Sequence, residues 1–238
     1  MSILYLIRHG QAGTRTDYDT LSELGRAQAR RAGEHLADEG VVFRAASAGA
    51  LRRQRETAAE FARAYRSRGL PFPEIACDPG WNEFDLETVY REMAPALAAE
   101  DARFREEYAA LERLAADDGD PVHRRWSACD TAIVRAWIEG RHRSTAESWP
   151  GFIARVEGRL GALPRWGEGE AVAVFTSAVP IAIWVAMSLG VTNGHIMQIA
   201  AVMYNSAITS FQFREGRPAL FSFNGVPHLP EREMRSFR

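Results

Sequence analysis

Apolar and polar positions follow two periods along this chain, and the changes of period mark out its elements. Ile3-Leu4-Tyr5-Leu6-Ile7 is a short unbroken apolar run ending at Arg8-His9-Gly10, the pattern of a buried parallel strand that stops at a loop. Helical spacing follows. Gly25, Ala29, Ala32 and Leu36 fall on one face, behind an N-cap at Ser22 and a first-turn acid at Glu23. Val41-Val42-Phe43 predicts a second strand, followed by Ser47-Ala48-Gly49-Ala50 and a second helix with Leu51, Ala58, Phe61 and Tyr65 aligned on one face. Such alternation predicts an α/β fold, with a parallel sheet, helices on both faces, and ligands at the carboxyl ends of the strands.

From about Leu86 to Ala146 the sequence turns charged and helical, with Val89, Met93 and Leu97 on one stripe and Phe104, Tyr108 and Leu111 on another. This reads as a helical insertion, residues 86–146, lying over the sheet edge as a lid inside a single 1–238 domain. The sheet resumes at Ala171-Val172-Ala173-Val174-Phe175. Val179 to Leu189 is a helix that Gly190 can end. A hairpin follows, Ala207 to Phe213 and Ala219 to Phe223 around Glu215-Gly216. Ala171 to Phe213 holds no Asp, Glu, Lys or Arg and is long enough to span a bilayer. Thr176, Ser177 and Pro180 interrupt it, however, and Glu168 and Glu170 precede it, so a buried strand feeding a buried helix is the better reading and no membrane is expected.

Composition narrows the class. In 238 residues, 46% apolar and 25% charged, the chain has the make-up of a soluble globular protein. Its formal charge of −2 gives no reason to expect nucleic acid. All 29 basic residues are arginine, which fits coding bias in a GC-rich genome. Cys77 and Cys129 sit in no metal-ligand spacing and make no disulfide framework, so buried thiols in a reducing, cytoplasmic interior are expected. The first residues offer no basic stretch and no cleavage site, and secretion is not expected.

Candidate chemistry begins at the first strand's end. Arg-His-Gly alone is a weak signal, but a strand end puts Arg8 and His9 at the crevice where α/β folds bind ligands. Neutral imidazole is a good nucleophile toward phosphorus, and a guanidinium neutralises and orients a phosphate. Leu51-Arg52-Arg53-Gln54-Arg55-Glu56-Thr57-Ala58 opens the second helix, with Arg52 and Arg55 read as a solvated face. The pairing of Arg-His-Gly with a later Leu-x-Arg-x-x-x-Thr-Ala resembles the histidine phosphatase (phosphoglycerate mutase-like) superfamily. The resemblance implies a three-layer α-β-α sandwich with a mostly parallel mixed sheet. It makes His9 the nucleophile, Arg8 and Arg53 the phosphate clamps, and Glu83 of Trp81-Asn82-Glu83-Phe84-Asp85 the general acid, with Asp85 as the alternative. It implies no cofactor and no metal, and a small phosphorylated molecule or inorganic phosphate as partner. Leu21 to Gly25, Gln28-Ala29, Glu147-Ser148, Phe152, Arg155-Val156 and Asn205 are also family-like.

One position departs from that pattern. The family carries a second histidine where this chain has Ser177, in Phe175-Thr176-Ser177-Ala178-Val179-Pro180. A branch of the superfamily with Thr-Ser-Gly-Gly-Pro here resembles this chain further through Asn82 to Asp85 and Asn224 to Leu229. Serine can donate a hydrogen bond, but it is neutral and short. Losing one well-placed donor typically costs on the order of 100- to 1000-fold in rate. Phosphate binding should survive better, through Arg8, Arg53 and, at Ala178, the N-terminus of the helix after Ser177. Two functions stay open: a metal-independent phosphomonoesterase working through phosphohistidine at His9, and a non-catalytic phospholigand-binding or regulatory protein. A phosphoglycerate mutase ranks third, because Gln11-Ala12-Gly13-Thr14 lacks the mutase-like Glu-Ser-x-x-Asn. His35, His123, His142 and His195 read as structural or surface residues, and His228 as packing within a branch-like segment. Asp117 to Pro121 reads as a polar turn.

Overall fold

The computed structural model describes residues 2–13, 19–115, 126–163, 169–214 and 217–237. The Glu215-Gly216 turn, His123 and the Asp117 to Pro121 segment fall outside those residues. The described residues form two compact units, residues 1–83 with 156–238, and residues 84–155.

The first unit is built on a six-stranded mixed sheet: β1 (Ile3–Arg8), β2 (Phe43–Ala48), β3 (Ile75–Cys77), β4 (Ala171–Thr176), β5 (Ile208–Arg214) and β6 (Arg217–Gly225), in the order β3-β2-β4-β1-β5-β6. Strands β1 to β4 run parallel, and β5 and β6 are antiparallel at one edge. The period-2 rule sorts the sheet's side chains. Ile7, Ala173 and Phe175 share a core with Ala32 and Leu36 of α1 (Glu23–Asp38) and with Ala58, Phe61 and Tyr65 of α2 (Arg52–Ser67). Phe211 meets Trp184 of α7 (Ala178–Leu189), with ring centroids 5.8 Å apart. The three-layer sandwich is therefore as expected. The cap of α1 is also as expected, since the Ser22 hydroxyl accepts from Gly25 N, and α7 ends on Gly190 in the left-handed conformation (φ 65°).

The second strand corrects the sequence reading. β2 begins at Phe43, where the expected strand ends, and takes in Ser47 and Ala48, which lie beyond the expected strand. Val41 is held instead in the turn that closes α1, its N–H donating to Leu36 O. Ala45, Ala46 and Ala48 have poor strand propensity, and the pairing of β2 with β3 and β4 overrides it. The pattern also missed β3 and the short helix α8 (Ile196–Ala201).

The second unit is helical: α3 (Leu86–Glu100), α4 (Ala102–Ala115), α5 (Ala128–Ile138) and the first part of α6 (Trp149–Glu157). Val89, Met93, Leu97 and Phe104 are buried, and Tyr108 and Leu111 are half-buried. Phe84, Trp137, Trp149 and Phe152 form its aromatic centre. Among the described residues, no helix is long and apolar enough to cross a membrane.

Candidate active site

Strand register assembles the site. Arg8 of β1 pairs with Thr176 of β4, so His9 and Ser177 leave the sheet side by side at its carboxyl edge, and His9 N donates to Thr176 O at 2.9 Å. Ala48 of β2 pairs with Phe175, which brings the turn into α2, with Arg53, to the same edge.

His9 is 3% exposed. Its Nδ1 lies 2.8 Å from Gly10 O, an acceptor only, so the proton sits on Nδ1 and Nε2 keeps its lone pair. Burial pushes the ring's pKa well below the usual histidine value, and the Arg53 and Arg8 guanidinia push it further. The ring is thus held neutral. The loop is fixed from two sides. Gly10 N donates to Thr57 Oγ1 at 3.0 Å, Thr57 Oγ1 donates to Arg53 O at 2.7 Å, and Gln11 N donates to Gln28 Oε1 at 2.8 Å. A Cβ on Gly10 would fall 2.3 Å from Gly25 O, so this backbone approach requires glycine.

Of the two predicted clamps, Arg53 is buried, while Arg52 and Arg55 are exposed. Arg53 Nη1 makes a 2.7 Å ion pair with Asp19, whose side chain is half-exposed. Arg8 is buried too, and its guanidinium donates to Met203 O and, at 2.9 Å, to Phe237 O. The Met234 to Phe237 segment is anchored beside it: Gln28 Nε2 donates to Met234 O, Asn205 N to Ser236 O, and Ser236 Oγ to Asn205 Oδ1. Asn205 Nδ2 in turn reaches His9 O at 3.4 Å.

Ser177 is the N-cap residue of α7, yet its side chain makes no capping bond. Glu83 takes that part, its Oε2 accepting from Val179 N at 3.2 Å. Glu83 and Ala178 are both half-buried. Asp85, the alternative acid, is used elsewhere, capping α3 through Thr88 N. His228 is buried, 2.8 Å from Ser206 Oγ, and burial, with His35 and Arg31, pushes its pKa down to about 3. Of the other histidines, His195 is exposed against Thr192 and His142 lies 3.6 Å from Glu100.

Sequence reasoning missed Asp19, Ser236 and Gln54. Gln54 was within reach, because it precedes Ala58 by four residues and Phe61 by seven, on the buried face of α2.

The sequence pattern of the histidine phosphatase superfamily (branch 1) matches residues 4–136. No protein of curated function matches the chain by sequence. Among solved structures, Bacillus stearothermophilus YhfR is similar, with a TM-score of 0.64 and 19% identity over 96% of this chain and 99% of that one. A mutant phosphoserine phosphatase from Entamoeba histolytica in complex with phosphoserine gives 0.61 and 19% over 96% and 100%. A mycobacterial glucosyl-3-phosphoglycerate phosphatase in complex with VO3 gives 0.58 and 22% over 94% and 98%. With a pattern match across more than half of its length, on the fold and strand-end residues described above, the chain belongs to the histidine phosphatase superfamily.

Proposed function

We propose that the protein is a metal-independent phosphatase acting on a small phosphate monoester through a phosphohistidine at His9. One observation carries this reading: the Nδ1 to Gly10 O hydrogen bond, in a ring kept neutral by burial and two guanidinia, leaves Nε2 as an unprotonated nucleophile. The Nε2 lone pair attacks phosphorus in line as the bond to the ester oxygen breaks. Arg8, Arg53 and the N-terminus of α7 at Ala178 hold the phosphoryl oxygens, and the Ser177 hydroxyl donates to one of them. Glu83 gives its proton to the departing alkoxide, then takes one from the water that attacks phosphorus and breaks the P–N bond, releasing inorganic phosphate. Substrate selection is assigned to residues 86–146, where Tyr90, Arg91, Arg105 and Tyr108 line an open cavity of about 370 Å³.

The phosphatases among the structural neighbours, and the phosphoserine and VO3 bound in them, support the same class. The second reading, a phospholigand-binding protein without turnover, is favoured by Ser177 alone. The test is base-quenched incubation with a panel of phosphomonoesters. Acid-labile phosphate on the wild type and none on His9→Ala is expected. Unlabelled wild type that still binds inorganic phosphate would move the assignment to the binder.

A further inference from the structure

The Ser177 hydroxyl is oriented by a neighbour that the mechanism above does not use. Gln54 is 0% exposed. Its Nε2 donates to Ser177 Oγ at 2.9 Å and to Trp81 O at 3.3 Å. The Trp81 carbonyl, which also accepts from Thr176 Oγ1, fixes which end of the amide faces Ser177: an amide oxygen turned that way would set acceptor against acceptor. On the other side, Oε1 is buried with no hydrogen-bond partner among the described residues, against Gly49, where a Cβ would fall 1.9 Å away.

An unpaired buried acceptor is a standing cost, and a methionine of similar length would fill the space without it. Packing alone therefore does not account for Gln54. Its effect on Ser177 does. An N–H donated into one lone pair of Oγ leaves the hydroxyl proton to be given elsewhere, and among the described residues no acceptor takes it. Glu83 already serves Val179 N, so Ser177 is released from capping α7.

We infer that Gln54 is a positioning residue: it holds Ser177 Oγ as an acceptor on one side so that its O–H points as a donor at the phosphoryl group. Resting as it does on the reading of this site as a phosphate site, the inference makes Gln54 and Ser177 together the counterpart of the family's second histidine.

The test is a double-mutant cycle on Gln54→Met and Ser177→Ala, read by calorimetric binding of orthovanadate and of inorganic phosphate, by kcat, and by thermal unfolding. Each single variant is expected to weaken vanadate binding and lower kcat about 10- to 100-fold, and the double variant by no more than the worse single. Gln54→Met trades the donated hydrogen bonds for relief of the unpaired Oε1, so its Tm is expected within a few degrees of wild type, which separates positioning from a structural role. Gln54→Glu, of the same shape but acceptor-only when ionised, is a second probe that should draw the Ser177 proton to itself and give the same loss. Wild-type vanadate affinity in both Gln54 variants, or effects that multiply in the double variant, overturns the inference. A wild type that binds vanadate in the expected cycle but never labels His9 removes the phosphatase reading and keeps the positioning role. Failure of the wild type to bind either anion overturns both.

Discussion

Gly25 and Gly33 lie on the same helix and face opposite consequences when an alanine replaces them. Both are buried in α1. A Cβ on Gly25 would stand 2.1 Å from Gln11 O and 2.8 Å from Gln11 N, in the loop that carries His9; one on Gly33 would stand 2.6 Å from Phe61 O, in α2. Carbon contacts settle near about 3.5 Å, so either change forces a displacement of about 1 Å. Alanine gains about 1 kcal/mol of helix propensity over glycine, and overpacking costs about 1–3 kcal/mol. The net loss reaches about 2 kcal/mol, a fall in Tm of up to about 8 °C at this chain length. Stability alone does not distinguish the two variants. Activity does, because only Gly25→Ala pushes on the Gly10-Gln11 backbone that fixes the imidazole. Displacing catalytic groups by about 1 Å can cost on the order of 100-fold. With phosphatase turnover assayed well below both unfolding midpoints, Gly25→Ala should lose about that factor in kcat/KM, while Gly33→Ala should stay near wild type. A Gly25→Ala protein with unchanged kcat/KM, or with a raised Tm, would refute the claim that this helix-to-loop approach sets the geometry of His9.

Two further outcomes are expected. Asp19→Asn should tighten inorganic phosphate binding, measured by calorimetry, because the carboxylate 2.7 Å from Arg53 competes for the guanidinium assigned to the anion; unchanged affinity would place the phosphate elsewhere. His228 has its pKa pushed down to about 3 in the folded protein, so the unfolded chain binds the extra proton below about pH 6.5. Stability from this group is intact above that pH and is lost as pH falls from about 6.5 toward 3, at up to about 1.4 kcal/mol per pH unit. His228→Gln should flatten that slope in urea unfolding between pH 7 and 5, leaving the part contributed by His9, whose shift has the same sign. An equal slope in the variant would mean that His228 is not held neutral.

The elements that sequence patterning found are those whose burial is one-sided or complete over a long stretch. The α1 face of Gly25, Ala29, Ala32 and Leu36 is buried as its spacing says, and the six residues of β4 are all buried, as an unbroken apolar run implies. β2 evades the same logic. Its sequence Phe43-Arg44-Ala45-Ala46-Ser47-Ala48 carries no β-branched residue, and it is a strand because β4 and β3 pair with it on either side. β3, three residues long, offers too few positions for a period to show. Both misses come from pairing, a property of the neighbours.

The site divides along the same line. His9 stood out because it follows a strand, and Arg53 because its motif, paired with Arg-His-Gly, resembles the family's; strand register brings both to the carboxyl edge of the sheet. The state of His9 was not legible, since its tautomer is set by Gly10 O and its neutrality by burial and two guanidinia brought in by folding. Ser177 shows the limit more sharply. Read alone, a serine before a helix is an N-cap, and its hydroxyl should be spent on the helix's own N–H groups. In the folded chain a glutamate from 94 positions earlier takes an N–H of that first turn, with Glu83 bonded to Val179 N two residues past Ser177. That exchange is what leaves the hydroxyl to Gln54. Local chemistry therefore names the groups that can act, and long-range pairing decides which of them are released to do so.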